Sequence, residues 1–236
     1  MERDERLTRE RIDRSDLPSI LRLYSWDPPA VSIGFQQKIE TVDIEACERH
    51  GIDVVRRPTG GRAVLHKNEL TYAVITRAEP ADGLYTVHNR IVHALVRSIG
   101  EIGNADIALT VTARSQKESA LPVACFASAA RHEVTWLGRK VIGSAQRRFG
   151  QVVLQHGSIL LAQDHLELAE LLNLPGPDRT AMQDQLARET ATLSDVFGKT
   201  VSIAEAAHAI KNNFVKNYLQ PNEVLAANSN TIDRES

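Results

Sequence analysis

The sequence predicts an α+β fold built on a mixed, mostly antiparallel sheet. Two observations carry this. Short apolar or alternating runs come first in the chain and are joined by hairpin-length connections, which argues against a doubly wound parallel sheet. A helical apolar period is confined to a few segments, clearest at Val87, Ile91, Ala94, Leu95, Ser98, Ile99 and Ile102.

The elements follow in order. Residues 2–13 are highly charged and predict a short surface helix. Ile20 to Trp26 alternates and predicts a strand, and Pro28-Pro29 turns the chain into a second strand, Val31 to Phe35, expected to pair with the first. Thr41 to His50 predicts a short helix, capped by Thr41 and stopped by Gly51. Ile52 to Arg57 is a third strand. Arg62 to His66 and Leu70 to Thr76 are two more, joined by a tight turn at Lys67-Asn68. After the helix over 87–102 come short strands at Ile107 to Val111, Glu133 to Leu137, Arg139 to Ile142 and Val152 to Leu161. Residues 164–172 and Ile203 to Tyr218 read as helices, with a turn near 193–197. One domain over 1–220 and a polar tail over 221–236 are expected.

Composition narrows the function classes. The chain has 236 residues, 42% hydrophobic and 25% charged, ordinary for a globular protein. A net charge of −2 predicts no general affinity for nucleic acid or an anionic membrane. No apolar run reaches the roughly 18 residues that span a bilayer. The first sixteen residues are dense in Arg, Asp and Glu, unlike a signal peptide, so a cytoplasmic location is expected. The two cysteines, Cys47 and Cys125, are expected as free thiols.

Three segments carry candidate chemistry. Arg56-Arg57-Pro58-Thr59-Gly60-Gly61-Arg62 places two glycines at a strand end, where a ligand can approach the backbone, with arginines suited to a phosphate or an acidic partner. The plain alternative is a common hairpin. It is neither a P-loop nor a dinucleotide fingerprint, because the Gly-Lys-Ser/Thr and the third glycine are missing. Lys140-Val141-Ile142-Gly143-Ser144-Ala145-Gln146 sets an ammonium beside a small-residue run, or is a surface lysine at a hairpin. Cys125 lies among Lys117, Arg131, His132 and Lys140, whose positive charge favours the nucleophilic thiolate. Cys47, on a short helix, reads as structural. His66 and His156 are candidate site residues, or satisfied hydrogen-bonding histidines. The eight histidines form no metal-ligand pattern, and Ser144 lacks the second glycine of a nucleophile elbow.

Together, Arg56 to His66 with Glu69-Leu70-Thr71-Tyr72, Cys125-Phe126, Gly138 to Gln146 and Gln155 to Leu160 resemble the biotin/lipoate A/B protein ligase superfamily, closest to its LipM-type octanoyltransferase branch. Tyr24 to Ala30 matches the early strands. The resemblance covers roughly 1–220. It implies a mixed sheet flanked by helices, with the acyl chain in a tunnel under the glycine hairpin. The implied donor is octanoyl-acyl carrier protein, and the implied acceptor is a lysine of a lipoyl domain or of the glycine cleavage H protein. Cys125 would carry the octanoyl group as a thioester, and Lys140 would position the acyl carbonyl and help move protons. Arg57, Gly60, Gly61 and His66 would line the acyl site, facing Gly143, Ser144 and Ala145. No cofactor is implied, because the donor is already activated.

Three departures from the family pattern stand out. Residues 1–7 begin inside the first helix rather than in a preceding strand, which bears on the sheet edge. Lys67-Asn68 replaces an acidic residue after the hairpin histidine. The segment before Cys125 is rich in alanine and polar residues. An ATP-dependent lipoate–protein ligase and a non-catalytic lipoyl-domain-binding module are the alternatives; ATP and Mg would enter only with the ligase.

Overall fold

In the computed structural model, residues 1–103, 110–112, 133–218 and 233–235 are described. The strands are β1 (Ile20–Trp26), β2 (Ala30–Ile33), β3 (Asp53–Arg56), β4 (Val64–His66), β5 (Glu69–Arg77), β6 (Thr110–Thr112), β7 (Glu133–Trp136), β8 (Arg139–Phe149), β9 (Val152–Leu160) and β10 (Asp233–Glu235). The helices are α1 (Glu2–Asp13), α2 (Ile44–Arg49), α3 (Leu84–Gly100), α4 (Gly176–Glu189), α5 (Leu193–Phe197) and α6 (Ile203–Asn217). The large sheet has the order β10-β1-β5-β9-β8-β7-β6, and a small one runs β3-β2-β4. Only β10 against β1 and β3 against β2 are parallel, so the sheets are mixed and mostly antiparallel, as the sequence predicts.

Strand alternation sorts the core. On β5, Leu70, Tyr72 and Val74 face one way and pack with Val87, Ile91, Leu95 and Ile99 of α3 and with Ala206, Ile210 and Phe214 of α6. Ala73 and Ile75 face the other way, with Tyr24, Val152, Leu154 and Leu7 of α1. The central strand is therefore covered on both faces. Val31, Ile33 and Leu65 of the small sheet form a second core with Cys47 of α2, Leu168 and Leu171 of a 3-10 segment (Gln163–Leu171), and Met182 and Leu186 of α4.

Several expectations are corrected. β2 does not pair with β1; it joins β3 and β4, because the chain turns at 27–29 into a separate sheet. The cap of α2 is Asp43, whose side chain accepts from the Ala46 amide, rather than Thr41. Residues 163–171 form a 3-10 segment, and α4 was absent from the sequence reading. Within the tail, residues 233–235 form a strand, and it occupies the sheet edge beside β1. Lys67 and Asn68 bond Glu167 and Asp164 of the 3-10 segment, so polar pairing persists there with the charge reversed.

Helix α1 forms as predicted but is not a solvated surface element. It buries Asp4, Thr8 and Arg11 against the sheet. The Asp4 carboxylate pairs with Arg22 and accepts from the Tyr24 hydroxyl at 3.0 Å, both on β1. Among the described residues, no helix is long and apolar enough to cross a membrane.

Candidate functional site

The two sheets meet across a narrow cavity. Ser32, Arg57, Val64 and His66 line it from the small sheet. Thr71, Gly143, Ser144, Ala145, His156, Gly157 and Ser158 line it from the large one. Its wall on β8 and β9 carries small residues, Gly143 to Ala145 and Gly157-Ser158. A Cβ on Gly157 would stand 2.1 Å from the Gly143 carbonyl oxygen, and one on Gly34 would stand 2.0 Å from that of Gly61. Only glycine allows strands and hairpin to approach this closely.

Arg57 is spent on the hairpin. It donates to the carbonyls of Ser32 (2.9 Å), Gly60 (3.1 Å) and Arg62 (2.6 Å), and to Ser32 Oγ (3.0 Å). Its stem helps shape the wall while its guanidinium braces the loop. Arg56 does similar work outside, donating to the carbonyls of Gly34, Phe35 and Gln37. Gly60 and Gly61 line a separate groove with Phe35, Arg62 and Arg147 rather than the cavity. Arg147 lies over the Phe35 ring and donates to the Pro58 carbonyl.

Two histidines tie the sheets together. His66 is stacked on Trp26 at 4.7 Å, with Nδ1 3.1 Å from Glu69 Oε1 and Nε2 2.8 Å from Ser32 Oγ. A carboxylate on Nδ1 assigns the proton to that nitrogen and leaves Nε2 to accept from Ser32. Thr71 also donates to Glu69 and accepts from Trp26 Nε1 at 2.9 Å. His156 Nε2 is 2.6 Å from Thr59 Oγ1, and its Nδ1 is 3.7 Å from Asp4 Oδ2. Burial lowers the His156 pKa, against the pull of Asp4, so the ring is neutral. For Asp4 itself burial is an upward influence, but His156 and Arg22 outweigh it and hold the carboxyl at about 2. The arginine and tyrosine bond it directly, whereas the histidine stands beyond hydrogen-bond length.

Lys140 is not a surface residue. It is 2% exposed, and its Nζ donates to Glu133 Oε1 at 2.6 Å, with Glu133 equally buried. The local sequence explains the placement. Leu137 and Gly138, both at positive φ, make a two-residue hairpin turn. The register then slips, so that Thr135 opposes Lys140 while Val134 opposes Ile142. The extra residue in β8 is a bulge, which re-aims side chains. The backbone is held by a bond from the Ala191 amide to the Lys140 carbonyl. Lys140 does not line the cavity; it lies on β8 three residues before the wall formed by Gly143 to Ala145.

The structure thus brings Arg57, His66, Gly143, Ser144 and Ala145 to one cavity, while Gly60 and Gly61 line a separate groove. Cys125 and its basic neighbours Lys117, Arg131 and His132 lie outside the described residues. Cys47 is buried, and burial, then Asp43, raises its thiol pKa, as suits a structural residue. No His/Cys/Asp/Glu group among the described residues could hold a metal ion. Sequence reasoning assigned no role to Ser32, Thr59, Glu69, Ser158 or Glu133. The available signal was polarity out of place: Glu69 and Thr71 sit two apart at the start of a largely apolar strand, hence on one face.

The same fold occurs in solved lipoate protein ligases. The bi-partite lipoate protein ligase of Thermoplasma acidophilum, solved with its E2 lipoyl domain, superposes with a TM-score of 0.70 at 24% identity, over 92% of this chain and 78% of that one. The lipoyl protein ligase A/B catalytic domain model matches residues 1–215. The octanoyltransferase LipM of Moorella thermoacetica is 37% identical over 204 residues, covering 84% of this chain and 73% of that protein. That of Symbiobacterium thermophilum is 39% identical over 209 residues, covering 86% and 76%. The chain belongs to the lipoyl protein ligase A/B catalytic-domain family and is an acyltransferase of its octanoyltransferase branch, serving lipoate biosynthesis.

Proposed function

We propose that the protein moves an octanoyl group from octanoyl-acyl carrier protein to a lysine of a lipoyl domain or of the glycine cleavage H protein, through a thioester on Cys125. Residues 1–220 act as one catalytic unit. The observation that carries the reading is the likeness to octanoyltransferases over more than four-fifths of the chain, together with the glycine-walled cavity between the sheets. The lipoyl-domain partner is supported by the ligase of the same fold solved with its E2 lipoyl domain.

The chemistry needs no ATP or metal, because the donor thioester is already activated. The Cys125 thiolate attacks the acyl carbonyl, the donor thiolate departs, and the acceptor amine then displaces Cys125 to leave an amide. Gly143 to Ala145 and His66 line the acyl chain's path, and Arg57 keeps the hairpin closed over it.

Intact-mass measurement after mixing with octanoyl-acyl carrier protein, without ATP, tests this. An octanoyl adduct on the wild type and none on Cys125→Ala is expected. No adduct, or an equal one on the variant, overturns it. Pyrophosphate release dependent on lipoate and ATP would instead favour a ligase.

A further inference from the structure

We infer that the groove beside the glycine hairpin, continued along the outer face of α1, is where the protein that delivers the acyl group docks. The partner surface it fits is acidic and presents an apolar side chain. The inference rests on the reading of the donor as an acyl group carried on a protein.

Three separate parts of the chain build the surface. Phe35, Pro58 and Arg147 are common to two depressions. One runs on to Gly60, Gly61 and Arg62, and the other to Arg9, Ile12 and Phe149. Glu5, Arg9 and Ile12 follow one another at helical spacing, so they share the face of α1 that looks into the second depression. Two large apolar side chains stand out of it, Phe35 at 50% exposure and Ile12 at 47%. Such groups side by side on a surface mark a place where another molecule excludes the water. Charge says what kind of molecule. The lining holds Arg9, Arg62 and Arg147 against one carboxylate, Glu5, on a chain whose net charge is −2. Among the described residues, neither Arg9 nor Arg147 is in an ion pair. The Arg147 guanidinium lies over the rings of Phe35 at 4.3 Å and Phe149 at 4.9 Å, which holds it in the strip. Arginine with aromatic and aliphatic side chains is the composition of a protein-binding surface, and a positive one selects an acidic partner.

Position says which partner. The hairpin serves both places: Arg57 and Val64 line the cavity, whereas Pro58, Gly60, Gly61 and Arg62 line the groove. An acceptor lysine reaches out on a four-carbon stem, so its protein must sit at the cavity itself. A donor whose acyl thioester hangs on a long prosthetic arm can keep its body beside the cavity rather than on it. A docking strip that adjoins the cavity without lining it therefore suits the donor.

The test is steady-state transfer to a lipoyl domain from two donors, octanoyl-acyl carrier protein and octanoyl-pantetheine, which keeps the arm but has no protein. Arg9→Glu and Ile12→Ser, both at exposed positions of α1, should each raise KM for the carrier-protein donor about 5-fold with kcat little changed. Neither should alter the rate with octanoyl-pantetheine. The wild-type KM for the carrier protein should rise with salt, and that of Arg9→Glu should rise less steeply, because the attraction it loses is the screened one. If Ile12→Ser does not fold, Arg9→Glu decides. An unchanged KM for the carrier protein, an equal loss with octanoyl-pantetheine, or a raised KM for the lipoyl domain instead overturns the inference. A wild type that transfers from neither donor would instead overturn the underlying reading of the reaction.

Discussion

Gly157→Ala is the sharpest test of how the cavity is built. Gly157 pairs with Ser144 on β8 and with Tyr72 on β5, so it is enclosed by ladders on both sides. An added Cβ would lie 2.1 Å from the Gly143 carbonyl oxygen, 3.1 Å from its carbon and 2.7 Å from Tyr72 Cε1. Neither obstacle gives way easily. The carbonyl belongs to a strand bonded on both edges. The Tyr72 ring is fully buried, and its hydroxyl is 2.7 Å from Ser144 Oγ and 3.1 Å from Gln155 Nε2. Overpacking of this kind costs about 1–3 kcal/mol. Opening one ladder hydrogen bond to relieve it adds about 1 kcal/mol. For a chain of this size each kcal/mol is about 2–4 °C, so Tm should fall by about 4–16 °C. Acyl-enzyme formation should fall as well, because relief must come from moving the wall at Gly143 to Ala145. Thermal unfolding by circular dichroism and intact-mass kinetics measure the two effects. Gly60→Ala is the control: its Cβ meets nothing within 4 Å, and Tm should not change. A Gly157→Ala protein with unchanged Tm and unchanged acylation would refute the reasoning.

Asp4→Asn removes the carboxylate paired with buried Arg22 and should cost about 3–5 kcal/mol in denaturant unfolding. Because its folded pKa lies near 2, below the ordinary 3.8, Asp4 contributes about 2 kcal/mol that is complete above pH 4 and lost as pH falls through about 2. The wild type should weaken across that window and Asp4→Asn should not. His165 is held neutral by burial at about 4, so its contribution of about 3 kcal/mol is complete above pH 6.5 and lost as pH falls towards 4. His165→Gln should flatten stability over that range, and an unchanged slope would argue against the buried neutral ring. Thr192→Ala breaks the reciprocal capping box with Asp195 at the start of α5 and should cost about 1 kcal/mol, seen as a fall in Tm of about 2–4 °C.

Local signals explain which elements the sequence made legible. The apolar period of α3, the alternation of β1, and the Lys67-Asn68 turn each depend on residues close in the chain, and each stands where it was read. Helix α4 was missed because only Met182 and Leu186 of its fourteen residues are buried, so its apolar stripe is too sparse to show a period. The pairing of β2 was misread because adjacency in sequence favours a β1–β2 hairpin, while Pro28 and Pro29 turn the chain towards β4 instead.

The same division holds at the site. The sequence by itself determined the α+β class, the family and the residue types of both cavity walls, because glycine-rich and small-residue runs keep their character wherever they fold. Only the tertiary structure decided that Arg57 braces the hairpin and that His66 is flanked by Ser32 and Glu69. It alone seated α1 through the Asp4 ion pair and buried Lys140 against Glu133. Each of these depends on strand register, on a bulge or on contacts between distant segments. Whether a charged side chain meets water or a counter-charge is set by which surfaces come together, and no local pattern encodes that.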